Sequence, residues 1–448
     1  MLSNPLFSKI LMICLMALVL LIPLSMIQSK VTERQSLQHE VQRDIARSAS
    51  GFQTFSGPYL VLRYKLNERR TVEDNAGNEK VVVSSAIHDA VVRPSNLRVD
   101  GNADIEIRKR GIYKARLFHL HGNVSGQFAI PQGYGLNTPL ADITPVAAYF
   151  VMKVSDARGI SNSPVLTIDG NQFQFAPGSI GPVAGNGIHA ALKPLKTGES
   201  HTLHFDFPLD LQGMRTIKFT PSGETTEVSL QSSWPHPSFG GGYLPRSHTV
   251  NEKGFTARWL VSNLARNNEG ENEVGNPVAA EIFSVSFISP VDTYLLSERA
   301  VKYGVLFIVL VFAAFFMFEI LRSLRIHAMQ YLLVGLALAM FFLLIISLSE
   351  HMAFFTAYVA SGLVCTALIG FYLAGVLKSI RPAFAFSCGI LLLYAVLYGV
   401  LQSEDNALLM GSLLLFVALA SMMTLSRKMD WYSISGSQEL DETKMRIE

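Results

Sequence analysis

Tyr303-Gly304-Val305-Leu306-Phe307-Ile308-Val309-Leu310-Val311-Phe312-Ala313-Ala314-Phe315-Phe316-Met317-Phe318-Glu319-Ile320-Leu321 is an almost unbroken apolar run with a single carboxylate three residues from its end. A helix needs about 20 such residues to cross the hydrocarbon of a bilayer. Runs of similar length follow at Tyr331–Leu348, Ala353–Leu377, Ala383–Leu401 and Ala407–Leu425, and another precedes them at Ile10–Ile27. Six spans are therefore expected. The first could be a signal peptide. Its apolar core exceeds an ordinary h-region, and no small-x-small cleavage pattern follows it, so it reads as an uncleaved anchor.

Positive charge orients the spans, because short cytoplasmic loops hold Lys and Arg. Arg322, Arg325 and His327 follow the second span, Lys378 and Arg381 the fourth, and Arg427 and Lys428 the sixth. The intervening loops, Ser349-Glu350-His351 and Gln402-Ser403-Glu404-Asp405-Asn406, carry neither Lys nor Arg. The alternation predicts an inner-membrane protein with both termini in the cytoplasm and residues 28–302 outside it. Trp431-Tyr432, beyond the last span, suits the headgroup level.

The middle of the chain has a different composition. All three cysteines, Cys14, Cys365 and Cys388, lie in apolar runs, so neither a disulfide framework nor a Cys zinc site is expected in the exported part. Leu37, Val41 and Ile45 recur every four residues and Gly51 follows, which predicts a stalk helix over 30–51. Short β-type runs then appear at Pro58–Tyr64, Lys80–Ile87, Ile105–Arg110, Tyr149–Val154, Val165–Ile168, His201–Phe207, Ile217–Thr220, Thr226–Leu230, Gly254–Trp259 and Ile282–Ile288. Asp100-Gly101 and Asp169-Gly170 are type I′ hairpin dipeptides, and Ser222-Gly223 and Asn75–Asn78 weaker ones. The fold expected is mixed: an anchor helix (1–29), the stalk (30–51), a large antiparallel, sandwich-like β domain (52–302), five transmembrane helices (303–425) and a cytoplasmic tail (426–448). One β domain or two is left open, with Pro177–Gly187 as a seam if there are two.

Chemistry is sparse. A net charge of +2 and no basic stripe with interleaved aromatics argue against nucleic acid. No phosphate-binding loop, H-E-x-x-H or G-x-S-x-G pattern is present, so no enzyme, cofactor or metal is expected. His119 and His121 share one face of a strand, and His201 or His204 would have to complete a metal site; ordinary surface histidines are the simpler reading. Trp234-Pro235-His236-Pro237-Ser238-Phe239-Gly240-Gly241-Gly242-Tyr243-Leu244-Pro245 combines stiff and permissive residues. Trp234, His236, Phe239 and Tyr243 either plug the domain core or meet a partner. Glu350 and His351 form a candidate polar site at the outer end of the third span, where a water-exposed turn would also explain them. Glu319 is expected to pair with Arg322. Gly362, Thr366, Gly370 and Ala374 make a small-residue packing face, which would put the fourth span at the bundle centre. The spans lack mid-membrane charge and paired broken helices of the transporter kind.

Several longer strings resemble the CreD family of bacterial inner-membrane proteins. They are Ser155-Asp156-Ala157-Arg158-Gly159-Ile160, Ser233–Phe239, Arg299-Ala300-Val301-Lys302-Tyr303, Met329–Leu336, Leu348-Ser349-Glu350-His351 and Asp430-Trp431-Tyr432. The resemblance implies an effector of a two-component regulon for envelope and cell-wall stress. It supplies no catalytic residue, cofactor or substrate. The partners expected are the lipid bilayer and an unidentified envelope protein or cell-wall component. Transport or lipid handling by the helix bundle is the alternative.

Overall fold

The computed structural model describes residues 5–73, 79–183, 185–265, 282–289, 292–322, 326–403 and 406–427. It divides into two compact units, one formed by Met1–Gln38 with Val291–Glu448, the other by His39–Pro290.

The first unit is helical, and six helical segments are long and apolar enough to cross a membrane. In chain order the helices are α1 (Pro5–Val19), α2 (Leu21–Ser48), α3 (Thr293–Leu321), α4 (Ala328–Ser349), α5 (Phe354–Val376), α6 (Ile380–Gln402) and α7 (Ala407–Ser426). α1 and α2 form one candidate span, Phe7–Ser48. The ladder breaks after Val19, where Pro23 has no N–H to offer the Val19 carbonyl. α3 starts at Thr293, upstream of the apolar run, because the Asp292 side chain caps the Tyr294 and Leu295 amides. α4 opens on a capping box between His327 and Gln330.

Small residues set the packing of the N-terminal helices. A Cβ on Gly335 would sit 2.1 Å from Leu20 Cδ1 and 2.9 Å from Phe312, and one on Gly304 would lie 3.2 Å from Leu24. Leu20, Leu24, Ile27 and Val31 are buried in the bundle core. At its centre Tyr394 stacks on Phe307 and Phe341, with ring centroids 4.7 and 4.1 Å away. The Tyr358 hydroxyl donates to the Tyr394 carbonyl at 2.8 Å. α4 packs against α1, α3 and α5 and is the innermost helix. The fourth span, α5, leaves Leu363, Val364, Leu368 and Phe371 exposed, so the centre falls one span earlier than its small residues suggested.

The second unit is a β-sandwich. Its strands are β1 (Gln53–Glu73), β2 (Glu79–Val92), β3 (Asn96–Arg110), β4 (Tyr113–Ile130), β5 (Ile143–Val154), β6 (Val165–Ile168), β7 (Asn171–Gln174) and β8 (Ala176–Pro177). They continue as β9 (Gly187–Leu192), β10 (His201–Met214), β11 (Thr216–Phe219), β12 (Thr225–Ser232), β13 (Pro237–Gly241), β14 (Ser247–Asn251), β15 (Gly254–Ser262) and β16 (Phe283–Phe287). One sheet runs β13-β16-β11-β1-β5-β9-β8, with β2 paired to β1; the other runs β14-β15-β12-β3-β4-β10-β6-β7. Most pairs are antiparallel, but β1–β11 and β12–β3 are parallel.

Alternating side chains from the two inner faces share one core. Phe150 of the first sheet meets Phe205 and Phe207 of the second at 5.3 and 5.7 Å, and Trp259 of the second stacks on Phe283 of the first at 5.3 Å. A single core makes a single domain. Pro177–Gly187 is accordingly no seam: it links β8 to β9 within one sheet.

Of the turn dipeptides, Asp169-Gly170 makes the β6–β7 hairpin, with φ of 46° and 83°. Asp100-Gly101 does not turn. It lies inside β3, opposite Asn123 and Gly122 of β4, because a long inward pattern on both sides outweighs the local preference. Asn75–Asn78 falls outside the described residues.

Candidate functional site

The outer face of the second sheet carries a broad concavity. Register aligns two rows of side chains across it. Ser247, Arg258, Ser229, Asp100 and Asn123 form the first row. Thr249, Thr256, Gln231, Asn102, His121 and Asp210 form the second. Period-2 alternation sends all of them outward, while Leu230 and Ala257 between the rows, and Leu120 beside His121, enter the core. The rows line a groove of about 730 Å³. A second hollow of about 450 Å³ adjoins it and shares Asn102, Gln231, Thr249 and Thr256. Glycines meet at the middle of the floor, Gly101 opposite Gly122. A Cβ on Gly101 would lie 2.7 Å from Leu120 Cδ1, so a larger residue here needs the Leu120 side chain to move.

Charge in the groove is internally balanced. Asp100 accepts from Arg98 at 2.7 Å, Asp210 lies 2.9 Å from His121 Nδ1, and Arg258 is paired with Glu227. The uncharged side chains of Asn102, Gln231, Ser229, Ser247, Thr249 and Thr256 make no hydrogen bond within the chain among the described residues. Their donors and acceptors face solvent.

The histidines do not converge. His119 bonds Glu106 at 2.9 Å, His201 the Lys196 carbonyl, and His204 Asp169. Hydrogen bonds from Arg108 and then His119 hold the Glu106 carboxyl below its usual range. No group of three metal-ligating side chains occurs among the described residues.

Within the Trp234–Pro245 segment, Trp234, Phe239 and Tyr243 pack against the sandwich core, while His236 and Leu244 stay exposed. Trp234 donates its indole N–H to the carbonyls of Ile288 and His236 at 3.0 and 3.2 Å. His236 lies edge-on to that indole at 6.2 Å. Phe239 packs against Trp259 and Phe255 at 5.6 and 5.8 Å, and the Tyr243 hydroxyl donates to the Ala265 carbonyl at 3.1 Å. Gly241, at φ 96°, would place a Cβ 2.0 Å from the Ile282 carbonyl. The segment seals the β13–β16 edge.

In the helical unit, polar groups gather at two levels. At one, the buried Glu319 takes Lys9, the Tyr331 hydroxyl at 2.9 Å and the Ile326 N–H at 2.7 Å. The expected Glu319–Arg322 pair is not made, because α3 ends at Leu321 with the carboxyl pointing into the bundle and Arg322 exposed. At the other level, Glu350 meets Arg34 at 3.3 Å and Tyr294 at 3.4 Å, while Gln35 donates to Glu298 at 3.0 Å. Glu350 is thus not the open-water charge its turn suggested; its side chain is 10% exposed, and His351 alone faces outward. Glu298 and Glu319 are 21 residues apart on α3, about 31 Å. That is close to the hydrocarbon thickness of about 30 Å.

Of the small residues on α5, Gly370 makes the close approach, with Ser387 Oγ 2.5 Å from where its Cβ would be. Gly362 has ordinary contacts with Tyr394 and Phe341, Thr366 is buried, and Ala374 packs at the core margin. Trp431-Tyr432 lies outside the described residues.

The family strings fall on structural junctions. Gln53, wholly buried, donates to Ser50 Oγ, the Asp156 carbonyl and the Gln212 carbonyl at 2.6, 2.8 and 3.1 Å. A Cβ on Gly159 would stand 2.1 Å from that amide. Tyr331 and Gly335 of the Met329–Leu336 string hold Glu319 and Leu20. The family model of the inner membrane protein CreD matches residues 5–432. The chain belongs to the CreD family. Inner membrane protein CreD of Escherichia coli (strain K12) is 38% identical over 441 residues, covering 97% of this chain and 96% of the relative. The CreD name denotes an inner membrane protein. Two solved peptidases show slight likeness. An M1 zinc metallopeptidase from Deinococcus radiodurans has TM-score 0.20 and 9% identity over 44% of this chain and 42% of its own. Yeast LTA4 hydrolase has 0.18 and 11%, over 42% and 28%. Likeness of that size carries no argument about fold or chemistry. The groove as a surface escaped the sequence reading, which singled out His121 only as half of a histidine pair and Asp100-Gly101 only as a turn. Its one signal is polar alternation at Asp100/Asn102, His121/Asn123 and Ser229/Gln231, which any solvated strand face shares.

Proposed function

We propose that this CreD-family chain catalyses no reaction and supports cell-envelope integrity through contacts made by its sandwich in the periplasm. It serves as an effector of a two-component envelope and cell-wall stress regulon, as the family resemblance implies. Both termini lie in the cytoplasm and residues 28–302 outside it. Functionally the chain partitions into anchor (1–29), stalk (30–51), exported domain (52–302), five-helix bundle (303–425) and tail (426–448). The observation that carries the reading is the groove, which gathers amides and hydroxyls without partners in the chain into one concavity.

The loop charges support the orientation, and two polar levels one bilayer thickness apart support a spanning α3. The bundle supports an anchoring role. Its hollow between α3, α6 and α7, lined by Phe307, Leu310, Leu397 and Leu414 among others, holds only about 10 Å³ and no charged side chain. Glu350 is engaged with Arg34, which favours a structural over a relay role.

Complementation of a deletion strain challenged with detergent and a cell-wall antibiotic tests the proposal. The full chain and the Glu350→Ala/His351→Ala variant protect; a chain lacking the sandwich does not. Failure of the double variant at normal abundance would move chemistry into the bundle. A single cysteine placed at Thr256, in a Cys14→Ala/Cys365→Ala/Cys388→Ala background, reacts with an impermeant maleimide applied from the periplasmic side.

A further inference from the structure

We propose that the groove across β14, β15, β12, β3, β4 and β10 binds a neutral N-acetylated glycan, the linear amino-sugar strand of the cell wall. This deepens the exported-contact reading and rests on it. Direction is the first argument. The rows run across the strands, and β15, β12, β3, β4 and β10 each have a neighbour on both sides, so the floor between them offers a ligand no free main-chain groups; the one free edge is that of β14, at the groove's end. A peptide that binds by strand addition needs an open edge. Recognition here falls to side chains alone.

Charge is the second argument. Asp100, Asp210 and Arg258 each have an opposite or imidazole partner in place. Among the described residues lining the groove itself, Arg258 is the only Lys or Arg, and it is paired; Lys253 lies in the adjoining hollow, so the groove holds no free cation for a phosphate or a nucleic acid, which bind through Lys and Arg. The complement of a charge-balanced polar surface is a neutral polar ligand.

Chemistry is the third. Asn102 and Gln231 face each other across β3 and β12, and a primary amide offers both a donor and an acceptor. An acetamide presents one N–H and one carbonyl, so the two amides can pair with it in both directions. Ser229, Ser247, Thr249 and Thr256 flank them with hydroxyls suited to ring hydroxyls. Size agrees: the groove lies within the roughly 300–1,000 Å³ range of small-ligand sites. Six strands at about 4.8 Å spacing give a length of roughly 24 Å. That accommodates several linked sugars, with rows about 7 Å apart on the scale of one ring.

The test uses the full chain in lipid nanodiscs, titrated calorimetrically with the β-1,4-linked tetramer of N-acetylglucosamine. The expected result is saturable binding, weakened at least ten-fold by Asn102→Ala/Gln231→Ala and unchanged by His204→Ala on the same sheet outside the groove. Tryptophan fluorescence on heating, to which the buried Trp259 contributes, verifies that each variant is folded. No saturable binding by the folded protein, or binding that the double variant leaves intact, overturns the assignment. Equal affinity for the glucose tetramer, which lacks acetamides, overturns it too, as does preference for a cell-wall stem peptide. Complementation separates the two levels of the argument. If the tetramer does not bind but loss of the sandwich still abolishes protection, only the glycan assignment falls; if the sandwich is dispensable, the parent reading falls.

Discussion

Replacing Glu319 with Leu should loosen the bundle more than any exposed substitution in it. The carboxylate is buried and serves three partners: the Lys9 ammonium, the Tyr331 hydroxyl and the Ile326 N–H. Leu fills similar space but accepts nothing. Two donors are orphaned, at about 1–3 kcal/mol each, and Lys9 loses its counter-charge. Lys9 is 28% exposed and can swing toward headgroups, which limits that part of the cost. The expected loss is about 3–5 kcal/mol, the usual range for breaking a buried pair from one side. Lys9→Met/Glu319→Gln removes both charges yet keeps a carbonyl for Tyr331 and Ile326, and should stay within about 1 kcal/mol of the parent. Cys365 is a native reporter, buried in α5 at 2% exposure. With Cys14 and Cys388 changed to Ala, thiol labelling in detergent micelles follows opening of the bundle alone. At roughly 1.4 kcal/mol per decade, Glu319→Leu should label more than a hundred-fold faster, and the double variant less than about ten-fold. Equal labelling of Glu319→Leu and the parent, or a double variant as labile as the single, would refute the reasoning.

Three further outcomes follow from the geometry. Gly335→Ala should cost about 1–3 kcal/mol by overpacking against Leu20 and Phe312; Leu20→Ala in the same chain should restore part of it, read by Cys365 labelling. Gly241→Ala should destabilise the sandwich by at least about 1–3 kcal/mol, from its positive φ alone, with the Ile282 carbonyl clash added, seen as a lower Trp259 unfolding temperature. Asp156 is held below its ordinary value of 3.8, chiefly by its hydrogen bond from Arg158. A carboxyl with a depressed folded pKa contributes stability above its unfolded value and loses it as pH falls through the folded one. Asp156→Asn should therefore flatten the stability loss below about pH 4 and leave the slope above pH 5 unchanged in denaturant titrations.

Placement of the predicted site residues shows where local reading stops. Trp234, Phe239 and Tyr243 are visible in sequence as unusual, yet nothing local says whether their rings face solvent or core; the pairing of β13 with β16 decides it. Glu350 and Arg34 are far apart in the chain, as are Lys9 and Glu319, so no spacing rule joins them. The groove is the extreme case. Asn102 and Gln231 meet because β3 and β12, more than a hundred residues apart, run parallel in one register.

The sequence by itself determined the elements whose signals are local. Apolar length set the helices, because lipid demands about 20 such residues in a row. Period-2 patterning set the main strands, and Asp169-Gly170 its hairpin. The six-residue and longer strings determined the family. Tertiary structure alone decided that the strands close over one core, that the first span is clasped by Gly304 and Gly335, that Glu319 turns inward to Lys9, and that free amides and hydroxyls align across four strands. The physical reason is that each of these depends on partners brought together by burial and register over long chain separations, where the energy of packing overrides local preference, as it does at Asp100-Gly101.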